Sequence, residues 1–303
     1  MNNFAPIAMF VFKRPEHTRR VLESLARNSE FLQSPLYIFC DGSRHPRETE
    51  AVISTRKVID DIEHPYKVVI KRNENFGLAK SIQNGISQIL ESYEKIIVIE
   101  DDLIIAPYFL KYMNTALVKY ATNENVKQIS GHMFPIDFGN ENSTIMLPFT
   151  TSWGWGTWSR AWIQHLEPSD DLITLLNNYK WRYRFDQNGS FPFSKMLLDR
   201  FLHKNDSWAI LWYYNIFKQD GIVLFPTKTL IQNVGFDGSG IHCSNNSPYN
   251  DQLNVNEIIN FCDPKLFSHD LTLVRQFLFN NRGKFKNIFD WLQRIILNTN
   301  KLK

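Results

Sequence analysis

Four short apolar runs, each giving way to polar residues and then to a segment of helical periodicity, dominate the first hundred residues of this 303-residue chain. Pro6 to Phe12, Leu36 to Cys40, Tyr66 to Lys71 and Ile96 to Ile99 are short and nearly continuous in apolar character, as strands buried on both faces are. Between them Val21, Leu22, Leu25 and Ala26, then Val52, Thr55, Ile59 and Ile62, then Ile82, Ile86, Ile89 and Leu90 recur at helical intervals, and Pro15 stands where a proline opens a helix. Strands alternating with helices predict an α/β fold, a mostly parallel sheet with helices on both faces. Ligands bind outside the carboxyl ends of the strands in open sheets of this kind. Arg14, Asp41, Asn75 with Gly77, and Glu100-Asp101-Asp102 are therefore expected to converge on one crevice.

Charge and composition narrow the function. Lys and Arg number 34 against 31 Asp and Glu, a net charge of +3, too even a balance for nucleic acid to be the main partner. The three cysteines, Cys40, Cys243 and Cys262, lack C-x-x-C spacing and suit neither a disulfide framework nor a zinc site, so a reducing, cytoplasmic setting is expected. No run approaches the roughly 18 apolar residues of a membrane span. After a helix expected over Pro107 to Ala121 and a strand near Val126 to Ile129 the regular alternation stops, and seven of the eight tryptophans fall between Trp153 and Trp212. This divides the chain into a ligand-binding half, 1–130, a second half of the same domain, 131–265, and a tail, 266–303. From Arg275 onward the tail carries seven Lys or Arg against a single acid, Asp290, with Phe285, Ile288, Phe289, Leu292, Ile295 and Ile296 at helical spacing. A basic amphipathic helix of this kind lies on an anionic membrane, or packs on its own domain or on a second copy of the chain.

Three adjacent carboxylates after a buried strand repel one another unless a cation joins them. Mg²⁺ or Mn²⁺ takes oxygen ligands and commonly binds through one or two carboxylates plus substrate phosphates. Helix capping by Asp101 or Asp102 is the alternative. Asp41, Asn75 and Arg14 at the neighbouring strand ends favour a nucleoside-diphosphate site, where a guanidinium has a phosphate to meet.

Pro6 to His17, Cys40-Asp41-Gly42-Ser43, Asn75-Phe76-Gly77-Leu78-Ala79 and Ile97 to Leu103 resemble nucleotide-sugar-dependent glycosyltransferases of the GT-A fold. The likeness is to bacterial family 2-like sugar transferases and to the eukaryotic N-acetylglucosaminyltransferase family that begins complex N-glycans. It continues through Ser152 to Trp158, Asp206-Ser207-Trp208, Asn233 to Phe236 and His242, and covers roughly residues 4 to 245. The resemblance implies that Asp102 coordinates a metal on the donor's diphosphate, with Glu100 and Asp101 around the ribose or sugar. It implies Asp41 at the uracil, Arg14, Asn75 and Gly77 around the nucleoside, and His242 in a loop that closes on the diphosphate. The family usually has D-x-D where this chain has Glu-Asp-Asp, which points to a single direct protein ligand.

Such an enzyme moves a sugar, N-acetylhexosamine or hexose by analogy, from a UDP-sugar to a hydroxyl of a glycan, a lipid-linked oligosaccharide or a glycoprotein. An inverting one needs a carboxylate to take the acceptor's proton. Asp170, Asp171, Asp186, Asp199 and Asp206 are the candidates in the second half, and Asp206 matches the family's base position, the alternative being that it caps a helix beginning near Trp208. One or two of Trp153, Trp155 and Trp208 are placed against donor sugar or acceptor, core packing being the default for the tryptophans as a group. Two other functions are weighed: a sugar-1-phosphate nucleotidyltransferase, disfavoured because Phe12-Lys13-Arg14-Pro15 is no Gly-rich phosphate loop, and a carbohydrate-binding protein without catalysis, which has no need of acids at every strand end.

Overall fold

A computed structural model describes residues 4–162, 171–235, 251–258 and 260–282. The expected alternation is present: β1 (Ile7–Val11), α1 (Pro15–Leu25), β2 (Leu36–Cys40), α2 (Thr49–Asp61), β3 (Lys67–Lys71), α3 (Leu78–Leu90) and β4 (Lys95–Glu100) succeed one another in order. Pro15 is the first residue of α1, where its missing N–H costs nothing. β5 (Leu103–Ile105), α4 (Phe109–Lys119) and β6 (Val126–Ser130) come next. The second half then contributes β7 (Thr144–Leu147), β8 (Trp155–Trp158), α5 (Asp171–Asn177), α6 (Tyr179–Phe185), α7 (Phe193–Phe201), α8 (Trp208–Lys218), β9 (Ile222–Pro226), β10 (Ile231–Asn233) and α9 (Ser268–Asn281).

Eight strands form one sheet in the order β3-β2-β1-β4-β8-β6-β9-β7. β3, β2, β1 and β4 run parallel, with Phe10 of β1 beside Phe39 of β2 and Glu100 of β4. β8 enters antiparallel between β4 and β6, so β6 and β9 keep the direction of β4. The sheet thus runs without a break through both halves of the chain. β10 pairs with β5 as a separate two-stranded ribbon, Asn233 beside Leu103.

Burial obeys the alternation of side chains along each strand. Ile7, Met9 and Val11 face one core, shared with Leu22 of α1, Ile59 of α2 and Met113 of α4. Ala8 and Phe10 face the other, with Ile86 of α3, Leu211 of α8 and Leu278 of α9. Helices therefore cover both faces, and the four parallel strands end together at one edge. No helix among the described residues is long and apolar enough to cross a membrane.

Candidate active site

The carboxyl ends of β1 and β4 are neighbours, and so are the residues just past them. Asp101 accepts from the Phe12 backbone N–H at 3.2 Å. Arg14 lies 3.2 Å from Asp102 Oδ2 and 3.5 Å from Asp101 Oδ1 through a single guanidinium nitrogen. These groups are largely buried, with 18% of the Arg14 side chain, 13% of Asp101 and 18% of Asp102 exposed. Three carboxyl groups face one guanidinium, with His17 also acting on Asp102, so the three cannot all ionise without a further cation. Burial, reinforced by the Asp102 and Asp101 charges, pushes Glu100 well above the usual carboxylate range. Burial and then the Asp102 charge push Asp101 up to about 7, and burial raises Asp102 in spite of Arg14.

Further along the edge, β2 and β3 end in a second arrangement. Asp41 is buried, with one oxygen on Arg72 Nη1 at 2.9 Å and the other accepting from the Phe76 N–H at 3.1 Å. Arg72 also donates to Ser81 and lies 4.5 Å above the Phe76 ring. Asn75 ties the two loops together, donating to the Gly42 carbonyl at 2.9 Å and accepting from the Gly77 N–H at 3.0 Å. Gly77 adopts φ 75° where it opens α3, a conformation glycine takes without strain. Arg14, Asp41, Asn75, Gly77 and the acidic triplet therefore share one edge of the sheet, as their spacing implied. Arg72 was missed. Its signal was a basic residue directly after β3, where Arg14 is found just past β1.

The β5–β10 ribbon brings a third segment to the acids. The Val234 N–H donates to the Asp102 carbonyl at 2.8 Å. A Cβ at Gly235 would stand 3.1 Å from Asp102 Cγ and closer still to Oδ2, so only glycine leaves this carboxylate its space. Among the described residues no group of three or more His, Cys, Asp or Glu is arranged to hold a metal ion by itself. The donor set nevertheless fits a hard divalent cation completed by ligand oxygens: carboxylate oxygens in excess of positive charge, beside backbone kept clear of side chains.

Beyond β4, the segments flanking β6 and β8 line a cavity of about 220 Å³. Its polar lining includes His132, Thr151, Ser152 and Ser207, beside Trp153. Trp153 stands edge-on to His132, ring centroids 4.4 Å apart. His132 was not foreseen, since nothing but its place after β6 marks it.

Two of the tryptophan assignments are corrected. Trp155 and Trp208 are buried, at 0% and 3% exposure, and stack on each other with centroids 5.5 Å apart. Trp155 also lies 5.7 Å from Trp212. A ring enclosed on both faces cannot stack on a sugar. Trp155 lies on β8 in the middle of the sheet, where both faces are covered, and Trp208 at the start of α8 packs onto it from the helix side. Trp153, just before the strand, stays half-buried at the cavity.

The candidate bases separate clearly. Asp186 accepts from the backbone N–H and hydroxyl of Ser194 at 2.6 and 2.7 Å and is pushed up to about 6 by burial, which makes it an anchor for α7. Asp199 is paired with Lys195 within the same helix. Asp206 is exposed, and the N-cap position of α8 belongs to Ser207, so Asp206 is not the cap. Asp170, the side chain of Asp171 and His242 lie outside the described residues, as do residues 283–303 of the tail.

No family model and no curated protein matches the chain. Solved structures do. A mannosyltransferase from Pyrobaculum calidifontis, in complex with GDP-Man and Mn²⁺, is 14% identical over 72% of this chain and 73% of its own, with a TM-score of 0.39. Residues 1–349 of TarS from S. aureus are 13% identical over 56% of this chain and 54% of theirs, with a TM-score of 0.38. A 4-diphosphocytidyl-2C-methyl-D-erythritol synthase from Anaerococcus prevotii is 9% identical over 52% and 71%, with a TM-score of 0.31. The fold itself stands on its own strand order.

Proposed function

We propose that this chain is a metal-dependent, inverting glycosyltransferase that moves a sugar from a UDP-sugar to an acceptor hydroxyl. The observation that carries the reading is the meeting of Arg14 with Asp101 and Asp102 across the ends of β1 and β4, with the acids in excess. An acidic cluster short of cations would be costly to bury. An activated sugar diphosphate with its cation matches the charge on both sides, taking Arg14 by a phosphate and the carboxylates by the metal.

Asp102 is the direct ligand for Mn²⁺ or Mg²⁺ in this reading, and the metal supplies Lewis-acid stabilisation of charge on the diphosphate. Asp101 and Glu100 border the ribose or sugar. Arg14 orients a phosphate oxygen, and the Asp41–Arg72 pair with Asn75 and Gly77 shapes the wall that receives the base, each Asp41 oxygen keeping a second lone pair for a donor. Asp206, exposed and next to Ser207 on the cavity rim, takes the proton of the attacking hydroxyl. Trp153 offers an indole face to the acceptor side. The same reading gives His242 a role at the diphosphate, leaves the basic tail to an anionic membrane surface, its own domain or a second copy, and takes the sugar from hexoses and N-acetylhexosamines in surface-polysaccharide synthesis.

The test is release of UDP from UDP-sugars with and without Mn²⁺, beside GDP- and dTDP-sugars. The reading predicts metal-dependent UDP release, and Asp206→Asn retaining UDP binding while losing about 10²- to 10⁴-fold in transfer rate. Near-full activity in that variant removes Asp206 from its role. Turnover of a sugar 1-phosphate with a nucleoside triphosphate, and none with a nucleotide-sugar, replaces the reading with a nucleotidyltransferase.

A further inference from the structure

The cavity beside Trp153 does not resemble a site for a bare glycan. Past its polar rim it is walled by Phe134, Phe149, Phe193, Met196, Ile210 and Leu278, brought together by the β6 and β7 ends, α7, α8 and α9. Sugars present hydroxyls on most of their surface, and each one buried against such a wall loses its water without a partner. An apolar cavity of roughly 150 Å³ lined by comparable side chains stays dry and takes a benzene-sized group. At about 220 Å³ this one holds more.

A second observation bears on what kind of apolar group enters. The surface next to the cavity is built from aromatic rings and cations. On α6, Tyr179, Trp181 and Tyr183 are exposed, interleaved with Lys180, Arg182 and Arg184; no acid lies on that helix, and Arg184 meets one from outside it, Asp220 at 2.7 Å. Tyr179 stacks on Tyr183 at 5.9 Å, and Tyr183 adjoins Gly189. Arg282 at the end of α9 reaches the Gly189 carbonyl at 3.3 Å while lying 3.8 Å over the exposed Phe279 ring. Leu278 of the same helix lines the cavity one turn before Arg282, so α9 borders both the cavity and this face. Exposed Tyr and Trp among Lys and Arg are the chemistry of a bilayer interface, where rings settle at headgroup depth and cations meet anionic lipid.

We infer that the acceptor is an amphiphile whose alkyl chain occupies this cavity, with its polar end at the Ser207 and Trp153 rim. The inference rests on the proposed transferase reading for the word acceptor, but the alkyl site itself is testable without a donor.

The experiment uses the full chain and a series of n-alkyl β-glucosides from propyl to decyl below their micelle concentrations, with phenyl β-glucoside as a parallel arm, binding being monitored by calorimetry. Affinity is expected to rise about fourfold per added methylene. The rise should level off once the chain outgrows the apolar walls. Filling the cavity with Ala209→Phe or Met196→Trp is expected to abolish the chain-length dependence while UDP affinity stays within twofold; two variants guard against one that misfolds. No binding at any length overturns the inference, including the case in which another segment of this chain occupies the cavity. Phenyl glucoside outcompeting every alkyl member overturns the assignment to a chain. UDP release from UDP-sugars is scored separately, so a failed transferase reading and a failed alkyl site give different results.

Discussion

Asp101 ties the electrostatics of the cleft to a measurable titration. Its carboxyl is held at about 7 by burial and by Asp102, far above its value in an unfolded chain. A group that binds its proton more tightly in the folded state adds stability at low pH and loses that contribution as pH rises through about 7. In metal-free protein, Asp101→Asn should therefore gain thermal stability relative to the parent as pH is raised from 5 to 8, by a few degrees. A difference that is flat or falls with pH contradicts the buried, under-neutralised triplet. Trp155 makes an equally plain case. Enclosed among Trp162, Trp208 and Trp212, it is core, and Trp155→Ala should cost about 3–5 kcal/mol in urea unfolding. Loss of acceptor use with stability unchanged would return it to the ligand.

Among the elements, the ends of β2 and β3 are held by one buried ion pair. Arg72 and Asp41 are 9% and 7% exposed, so removing a single partner strands a charge away from water. Arg72→Ala is expected to destabilise by about 3–5 kcal/mol, and the double change with Asp41→Leu to recover part of that. Costs that simply add would mean the two side chains stabilise the loops independently. The elements carrying these loops were legible in the sequence for a definite reason. A parallel strand buried on both faces must be apolar throughout, and the change to helical periodicity after each run marks where a loop begins, so Leu36–Cys40 was placed to the residue and Pro15 opened its helix. The chain beyond Ser130 was not legible in the same way. β8 inserts antiparallel between β4 and β6, far from its sequence neighbours, and nothing in Trp155-Gly156-Thr157-Trp158 announces that both its faces are covered. The alternation of tryptophan with glycine looked like a ligand loop for that reason. The cavity was invisible altogether, because its walls come from segments between His132 and Leu278 that meet through tertiary packing alone.

At the scale of the whole molecule, one sheet carries two kinds of edge chemistry side by side. Its parallel half ends in charge, at Arg14, Asp41, Arg72 and the acids, while the mixed half ends in aromatic and hydroxyl side chains around the cavity. That division suits a reaction joining a charged donor to a less polar acceptor, and the proposed reading puts the bond-forming step where β4 and β8 adjoin. In that reading the base, Asp206, belongs to the second half and the proposed metal ligand, Asp102, to the first, so neither half is expected to transfer sugar alone.

The central claim is that Asp102 and its neighbours clamp a divalent cation on a nucleoside diphosphate. The most direct measurement is the affinity of UDP, by calorimetry, with and without Mn²⁺, in the parent and in Asp102→Asn. The account predicts that Mn²⁺ tightens UDP binding at least tenfold in the parent and changes it less than twofold in the variant. Equal affinity in the parent with and without the metal, or an undiminished metal effect in Asp102→Asn, contradicts it.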